Sequence, residues 1–275
     1  YDSGLRVPLW VRFPGAAQGG RSDRLVSLID LAPTLLSLAG IQPPAYMDGR
    51  AFAGKYEAPQ RAYIFGNGDR FDEYTDRVRI VRDGRFLYVC NFIPGQTGYK
   101  DIRYRKSMEM MPEFLQWRNE GRLNEDQIKW FEPKVKEELY DCLKDPHNLH
   151  NLAEAPAHAA ELQRLRNVLW QRLQTRPDLG FIPESLMVEM MWPGGVQPVA
   201  AAPVVSMKKG KITLSCASPG ASISYRWSDN GNEKWNLQPH RRLYTGPIAP
   251  QKGKYLYVVA ERIGFKTSEE QVQKY

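Results

Sequence analysis

The sequence predicts an α+β chain followed by a separate all-β unit. Three observations carry this. RVRIVRDGRFLYVCNF places Asp83-Gly84 between two β-rich runs, the signal of an antiparallel hairpin. AHAAELQRLRNVLWQRLQTR repeats Leu162, Leu165, Val168, Leu169 and Leu173 at helical spacing. Beyond the Gly/Pro/Ala-rich connector GGVQPVAAAPVV, only short β-prone runs follow, separated by SPGA, SDNGN and YTGP turns.

Taken in order, the chain opens YDSGLRVPLWVRFPG. Leu9 to Phe13 alternates as a buried strand does, with Pro8 before it and a Pro14-Gly15 turn signal after it. A buried strand so near the start either pairs with something missing from this chain, or the strand reading is wrong. VSLIDLAPTLLSLAG reads as a short helix capped by Asp30, with Pro33 in its first turn. Leu31, Leu35 and Leu38 form its apolar stripe, and Gly40 is its left-handed C-cap, with Ile41 packing back over the last turn.

From Arg61 the pattern becomes an antiparallel meander, with Val78, Ile80, Phe86, Tyr88 and Cys90 on buried faces. Gly95 to Lys106, GQTGYKDIRYRK, is an irregular basic and aromatic loop. MEMMPEFLQWRNEG and LNEDQIKWFEP read as helices, the second capped at Asn124 and stopped by Pro133. ELYDCLKDPHNLHNLA gives a strand, a turn at Asp145-Pro146 and the start of the long helix. KITLSCA, SISYRW, KYLYVVAERI and EEQVQKY are the strands of a small β-sandwich. The organisation expected is residues 1–48, 49–193 and 194–275.

Composition bounds the partners. The 275 residues suit two compact units, and the hydrophobic fraction of 42% suits ordinary cores. The net charge of +7 suits a polyanionic partner. Its basic residues are interleaved with acids, and no zinc-finger or RNA-recognition signature is present, so nucleic acid is not expected. No apolar run reaches membrane-spanning length. Cys90, Cys142 and Cys216 are odd in number and far apart, which argues for structural thiols. His147 and His150 lack a third ligand at metal-site spacing.

Three stretches together resemble type I (formylglycine) sulfatases. YDSGLRVPLWVRFPG with SLIDLAPTLLSLAGI resembles the family's Y-[ED]-x-G-x-R-V-P strand and its D-x-x-P-T-L-L-x-L-A-G helix. RVRIVRDGRFLYVCNF resembles the following hairpin, and ELYDCLKDPHNLHNLA the C-terminal signature. All three occur in family order over about residues 1 to 190. Cys142 and His150 stand where Leu and Asn are usual. ITLSCASPGASISYRW, LYTGPI and VAERIGFKTS resemble the C-terminal β-sandwich of chitobiase-type hexosaminidases.

The resemblance implies the end of an alkaline-phosphatase-like α/β domain, an antiparallel C-terminal subdomain and an Ig-like sandwich. It implies hydrolysis of sulfuric esters or sulfamates on a sulfated carbohydrate, in the periplasm or outside the cell. The family nucleophile arises from C/S-x-P-S-R, and Ca²⁺ is held by an Asp-Asp pair and a later Asp-Asn or Asp-His pair. This chain has no C/S-x-P-S-R and no Asp-Asp pair, and Asp229-Asn230 lies within the sandwich. No catalytic or metal residue is therefore assigned here, Ca²⁺ is expected only in the intact enzyme, and an N-terminal half is the expected partner.

The candidate substrate groups are Arg70, Asp72 and Arg77 of GNGDRFDEYTDR, with Arg103, Arg105 and Lys106 of the basic loop. Trp235 is the candidate for stacking on a sugar ring. The alternatives are a solvated, salt-bridged surface for the charges, and a non-catalytic carbohydrate-binding or structural adaptor module for the chain.

Overall fold

A computed structural model describes residues 1–13, 19–233 and 240–275. Within it the chain divides into two compact units, Tyr1–Phe181 and Ile182–Tyr275. The division falls ahead of the connector at Gly194.

Alternating β-branched and aromatic residues build the sheet of the first unit. Strands β1 (Ile64–Phe71), β2 (Tyr74–Arg82), β3 (Phe86–Asn91) and β4 (Glu137–Asp141) pair antiparallel in sequence order. The β2–β3 hairpin closes as the Asp83-Gly84 pair predicts, but by a different device. The Asp83 carboxylate accepts from Arg85 N (2.7 Å) and Phe86 N (2.6 Å), so the aspartate side chain folds the turn.

Every residue of β3 is buried. One face of the sheet carries Val81, Phe86, Tyr88, Cys90 and Leu139 against Leu162, Leu165 and Leu169 of the long helix. The opposite face carries Ile80, Leu87, Val89, Tyr140 and Cys142, with Leu5 and Val78 at its margin. The helical turns in chain order are α1 (Asp2–Leu5), α2 (Leu31–Leu38), α3 (Arg103–Lys106), α4 (Met110–Asn119), α5 (Glu125–Ile128) and α6 (Ala159–Thr175), the long helix. Asn124 caps α5 as its sequence position predicts, accepting from Asp126 N and Gln127 N.

The opening stretch is docked on the second face. Asp2 is buried: its carboxylate accepts from Arg82 Nε (3.0 Å), and its amide donates to Asn148 Oδ1 (2.7 Å). Tyr1 packs edge-on to Tyr140, with ring centroids 5.7 Å apart. Gly66 lies close under this stretch, since a Cβ there would fall 2.9 Å from Leu5 Cδ2 and would oblige the leucine side chain to shift.

Two expectations for this region are corrected. Leu9 to Phe13 forms no strand, and Leu9, Trp10 and Val11 are exposed, Trp10 at 93%. An alternating pattern becomes a strand only where a neighbouring ladder accepts it, and no described residue offers one. The turn expected at Pro14-Gly15 lies outside the described residues.

The second correction concerns α2, whose burial does not follow its leucine stripe. Thr34 and Ser37 are buried, whereas Leu35 and Leu38 are exposed. Phe52 N donates to Thr34 Oγ1 (3.0 Å) and Tyr56 N to Ser37 Oγ (2.8 Å), so a polar segment satisfies its backbone there. Gly40 does supply the predicted C-cap, at φ +74°, with Ile41 N donating to Leu36 O (2.9 Å).

Asp30 does not cap α2. Its carboxylate accepts from Ser27 N (3.0 Å), Arg50 N (2.7 Å) and Arg61 Nε (2.9 Å). Burial pushes this carboxyl up, but the donations from Arg61, Arg50 and Ser27 outweigh it and hold it below the usual carboxylate range.

The second unit begins with α7 (Glu184–Met191). A ribbon of β5 (Val204–Lys208) and β6 (Lys211–Ser215) is joined by a four-stranded antiparallel sheet. That sheet has the order β10 (Gln271–Lys274), β9 (Tyr255–Glu261), β7 (Ser222–Ser228), β8 (Arg242–Leu243). Ile212 and Leu214 from the ribbon meet Ile223, Tyr225, Leu256 and Val258 from the sheet in one core. Trp227 and Tyr244 pack against the same core, and Tyr257 is fully buried with its hydroxyl donating to Asn230 O (2.7 Å).

Asp30→Asn should lower unfolding stability by about 3 kcal/mol, because it leaves Arg61 buried without its anion. A carboxylate held below its unfolded value of about 4 stabilises above that pH and ceases to as pH falls through the lowered value. The acid limb of urea-unfolding free energy against pH should therefore be shallower in Asp30→Asn than in the wild type.

Candidate functional site

The geometry of the β1–β2 hairpin brings the two candidate stretches of the first unit together. The hairpin reverses over Asp72 and Glu73, with Phe71 paired to Tyr74. Asp72 takes φ +51°, a conformation that aspartate tolerates better than most residues. Arg70 Nε donates to Asp72 O (2.7 Å), tying the tip to itself through the main chain.

Beside the tip lies the basic loop, whose end is the short helix α3. The Arg105 guanidinium sits over three rings, Trp130 at 5.0 Å, Tyr99 at 5.7 Å and Phe71 at 5.9 Å. Its Nη1 donates to Lys100 O (3.2 Å). Phe71 belongs to the hairpin tip and Trp130 to the segment after α5, so Arg105 joins three parts of the chain. Arg103 is exposed, and Lys106 pairs with Asp101 at 2.8 Å on the exposed side of the loop.

Beneath this surface is a cluster that the sequence reading missed. The Asp76 carboxylate receives Lys134 Nζ at 2.5 Å and Lys100 Nζ at 2.6 Å, and all three side chains are nearly buried. Lys100 also lies 5.3 Å from the Tyr74 ring centroid. Two cations on one anion leave the cluster with an excess positive charge. Burial raises the Asp76 carboxyl, but the two ammonium donors win and hold it below the usual range.

Arg77 faces away from this surface. Its Nε donates to Gly180 O (2.8 Å), and its guanidinium lies 5.1 Å from the Phe181 ring. Arg79, on the same face of β2, is buried between Asp178 (2.6 Å) and Asp69 (2.6 Å). The period-2 pattern of DRVRIVR carried that signal, because residues two apart on a strand share a face. Arg70, Asp72, Arg103, Arg105 and Lys106 therefore share one edge, and Arg77 stands apart from it. Trp235 lies outside the described residues.

Among the described residues, no three of His, Cys, Asp or Glu converge as metal ligands. The described carboxylates do not gather into a set that fits Ca²⁺. Burial pushes the Cys90 and Cys142 thiols up, away from the reactive thiolate form.

Asp76→Asn should cost about 3 kcal/mol of stability, since two buried ammoniums lose their shared anion. Lys106→Ala, removing one member of an exposed pair, should leave the urea midpoint unchanged. Equal effects of the two substitutions would contradict the placement of the cluster beneath the surface.

Residues 1–64 match the family described as N-sulphoglucosamine sulphohydrolase, C-terminal. An ulvan-active sulfatase of Formosa agariphila is 43% identical over 274 residues, which is 98% of this chain and 45% of that protein. The human N-sulphoglucosamine sulphohydrolase is 27% identical over 215 residues, 70% of this chain and 41% of that enzyme. An endo-4-O-sulfatase of Bacteroides thetaiotaomicron is 27% identical over 167 residues, 55% of this chain and 26% of that protein. The chain spans less than half the length of each of these relatives. The chain is thus similar to part of each of these sulfatases, and its first 64 residues to the C-terminal family named above.

Proposed function

We propose that these residues work as the C-terminal portion of a glycan sulfatase whose nucleophile and Ca²⁺ ligands lie in an N-terminal half outside them. The match over 98% of the chain to an ulvan-active sulfatase carries this reading. The joined enzyme hydrolyses sulfuric esters or sulfamates on a sulfated carbohydrate, and ulvan is the first substrate to test. It works in the periplasm or outside the cell. No described helix is long and apolar enough to cross a membrane.

The N-terminal half would cover the apolar groups that stand exposed on the first unit, among them Trp10, Leu28, Ile29, Leu35 and Ile41. A patch of this kind marks an interaction surface. In this reading residues 1–48 complete a large alkaline-phosphatase-like domain, and residues 194–275 form an Ig-like sandwich of the chitobiase type.

Substrate is met at the edge shared by the hairpin tip and the basic loop. Arg103 and Lys106 present exposed cations there, Arg70 and Asp72 shape the tip, and Arg105 fixes the loop. Arginine grips sulfate through paired donors. Arg77 supports the adjoining segment through Gly180 and does not touch substrate.

The test is sulfate release from ulvan by the 275-residue chain, alone and joined behind a sulfatase N-terminal half carrying C/S-x-P-S-R. Release is expected only from the joined protein. In that protein Arg103→Ala should raise KM about tenfold, the loss of one charge-assisted contact, with kcat nearly unchanged. Turnover of an aryl sulfate by the chain alone would refute the proposal.

A further inference from the structure

A second part of the first unit has the chemistry of a ligand site. A cleft of about 460 Å³ lies between β1 and the C-terminal turn of α6 with the segment 176–180. Its volume falls in the range of small-ligand pockets. Three arginines line it: Arg79, Arg172 and Arg176.

Two of them already have anions. Arg79 is held by Asp69 and Asp178, and Arg176 pairs with Asp48. Arg172 is different. It is half-buried, and its guanidinium lies 4.2 Å from the Phe65 ring centroid with no hydrogen bond or ion pair to any described residue. Burial and the neighbouring Arg61 guanidinium push its pKa down, and Asp178 opposes them. Arg61 itself is occupied by Asp30.

A partly desolvated cation next to a second cation, in a cleft whose carboxylates Asp69 and Asp178 are held by Arg79 and Asp48 by Arg176, is an arrangement that an incoming anion relieves. The Phe65 ring supports the guanidinium at 4.2 Å, and an arginine so stacked can offer an oxyanion its paired donors. We infer that this cleft is an oxyanion subsite, in which Arg172 takes one sulfate or carboxylate group of the glycan. Assigning that group to a glycan rests on the function proposed above; binding of the oxyanion does not. A competing role is structural, because a cation in the last turn of a helix complements its dipole.

Both roles are separated by titrating the full 275-residue chain with inorganic sulfate and, separately, acetate. Ionic strength is held constant with chloride, and the arginine Nε–Hε resonances are followed by NMR. The Arg172 resonance should shift saturably, with a dissociation constant in the millimolar range. Sulfate preference assigns the subsite to sulfate groups and acetate preference to carboxylates. Arg172→Met, whose stem still covers Phe65, should weaken binding about tenfold, and Arg172→Lys should weaken it less. In anion-free buffer Arg172→Met should unfold at the same temperature as the wild type or higher. No saturable shift at Arg172, equal affinity in Arg172→Met, or a lower unfolding temperature for that variant without anion would each overturn the proposal. None of these readouts involves sulfate ester hydrolysis, so the sulfatase reading stands or falls separately.

Discussion

The architecture of the first unit follows from β3, a strand whose residues are all buried. A strand alternates its side chains between two faces, so a wholly buried strand demands a cover on each face. The covers are chemically unlike. On one face α6 lays Leu162, Leu165 and Leu169 over Phe86, Tyr88 and Cys90. On the other, Leu87 and Val89 lie beside Tyr140, and the docked opening stretch contributes Leu5. The Arg82–Asp2 pair and the Asp2–Asn148 hydrogen bond fix that docking. The three stretches that carry the family resemblance thus meet on one face: the opening in Asp2, the hairpin in Arg82, the C-terminal signature in Tyr140 and Asn148.

Arginine has three distinct duties within this unit, and burial sorts them. Arg79 and Arg82, buried on β2, are each matched by carboxylates, because an unmatched charge there would be too costly. Arg77 and Arg105 rest on aromatic rings and donate to carbonyl groups, holding neighbouring segments in place. Arg103 is exposed at the edge, and Arg172 is half-buried in a cleft. The basic excess of the composition is therefore not spread evenly over the surface.

Much of this was legible in the sequence, and the failures have physical causes. The hairpin, the long helix, the Asn124 cap and the left-handed Gly40 depend on neighbours a few residues away, so local pattern suffices for them. Lys100 and Lys134 could not be paired from sequence, because their shared partner Asp76 is distant along the chain from both. Arg105 was read as a substrate group from its charge. Its position over Phe71, Tyr99 and Trp130 depends on three segments converging, which periodicity does not encode. The Arg172 cleft was missed because an arginine on an amphipathic helix looks like any solvated residue until its neighbours are known.

Helix α2 and the run Leu9 to Phe13 teach a sharper lesson about apolar pattern. In both, the alternation or stripe is present, and in both apolar side chains stand exposed: Leu9, Trp10 and Val11 in the run, Leu35 and Leu38 on the helix. A leucine stripe records which face of a helix is suited to burial, not which face has been buried. On α2 the burial is decided by hydrogen bonds, since Thr34 and Ser37 satisfy backbone amides of the 50–56 segment. Unpaired backbone in a buried contact would cost more than leaving Leu35 in water. The same ordering of energies keeps Leu9 to Phe13 out of any sheet: side-chain alternation favours a strand, but the ladder that makes one must come from another segment.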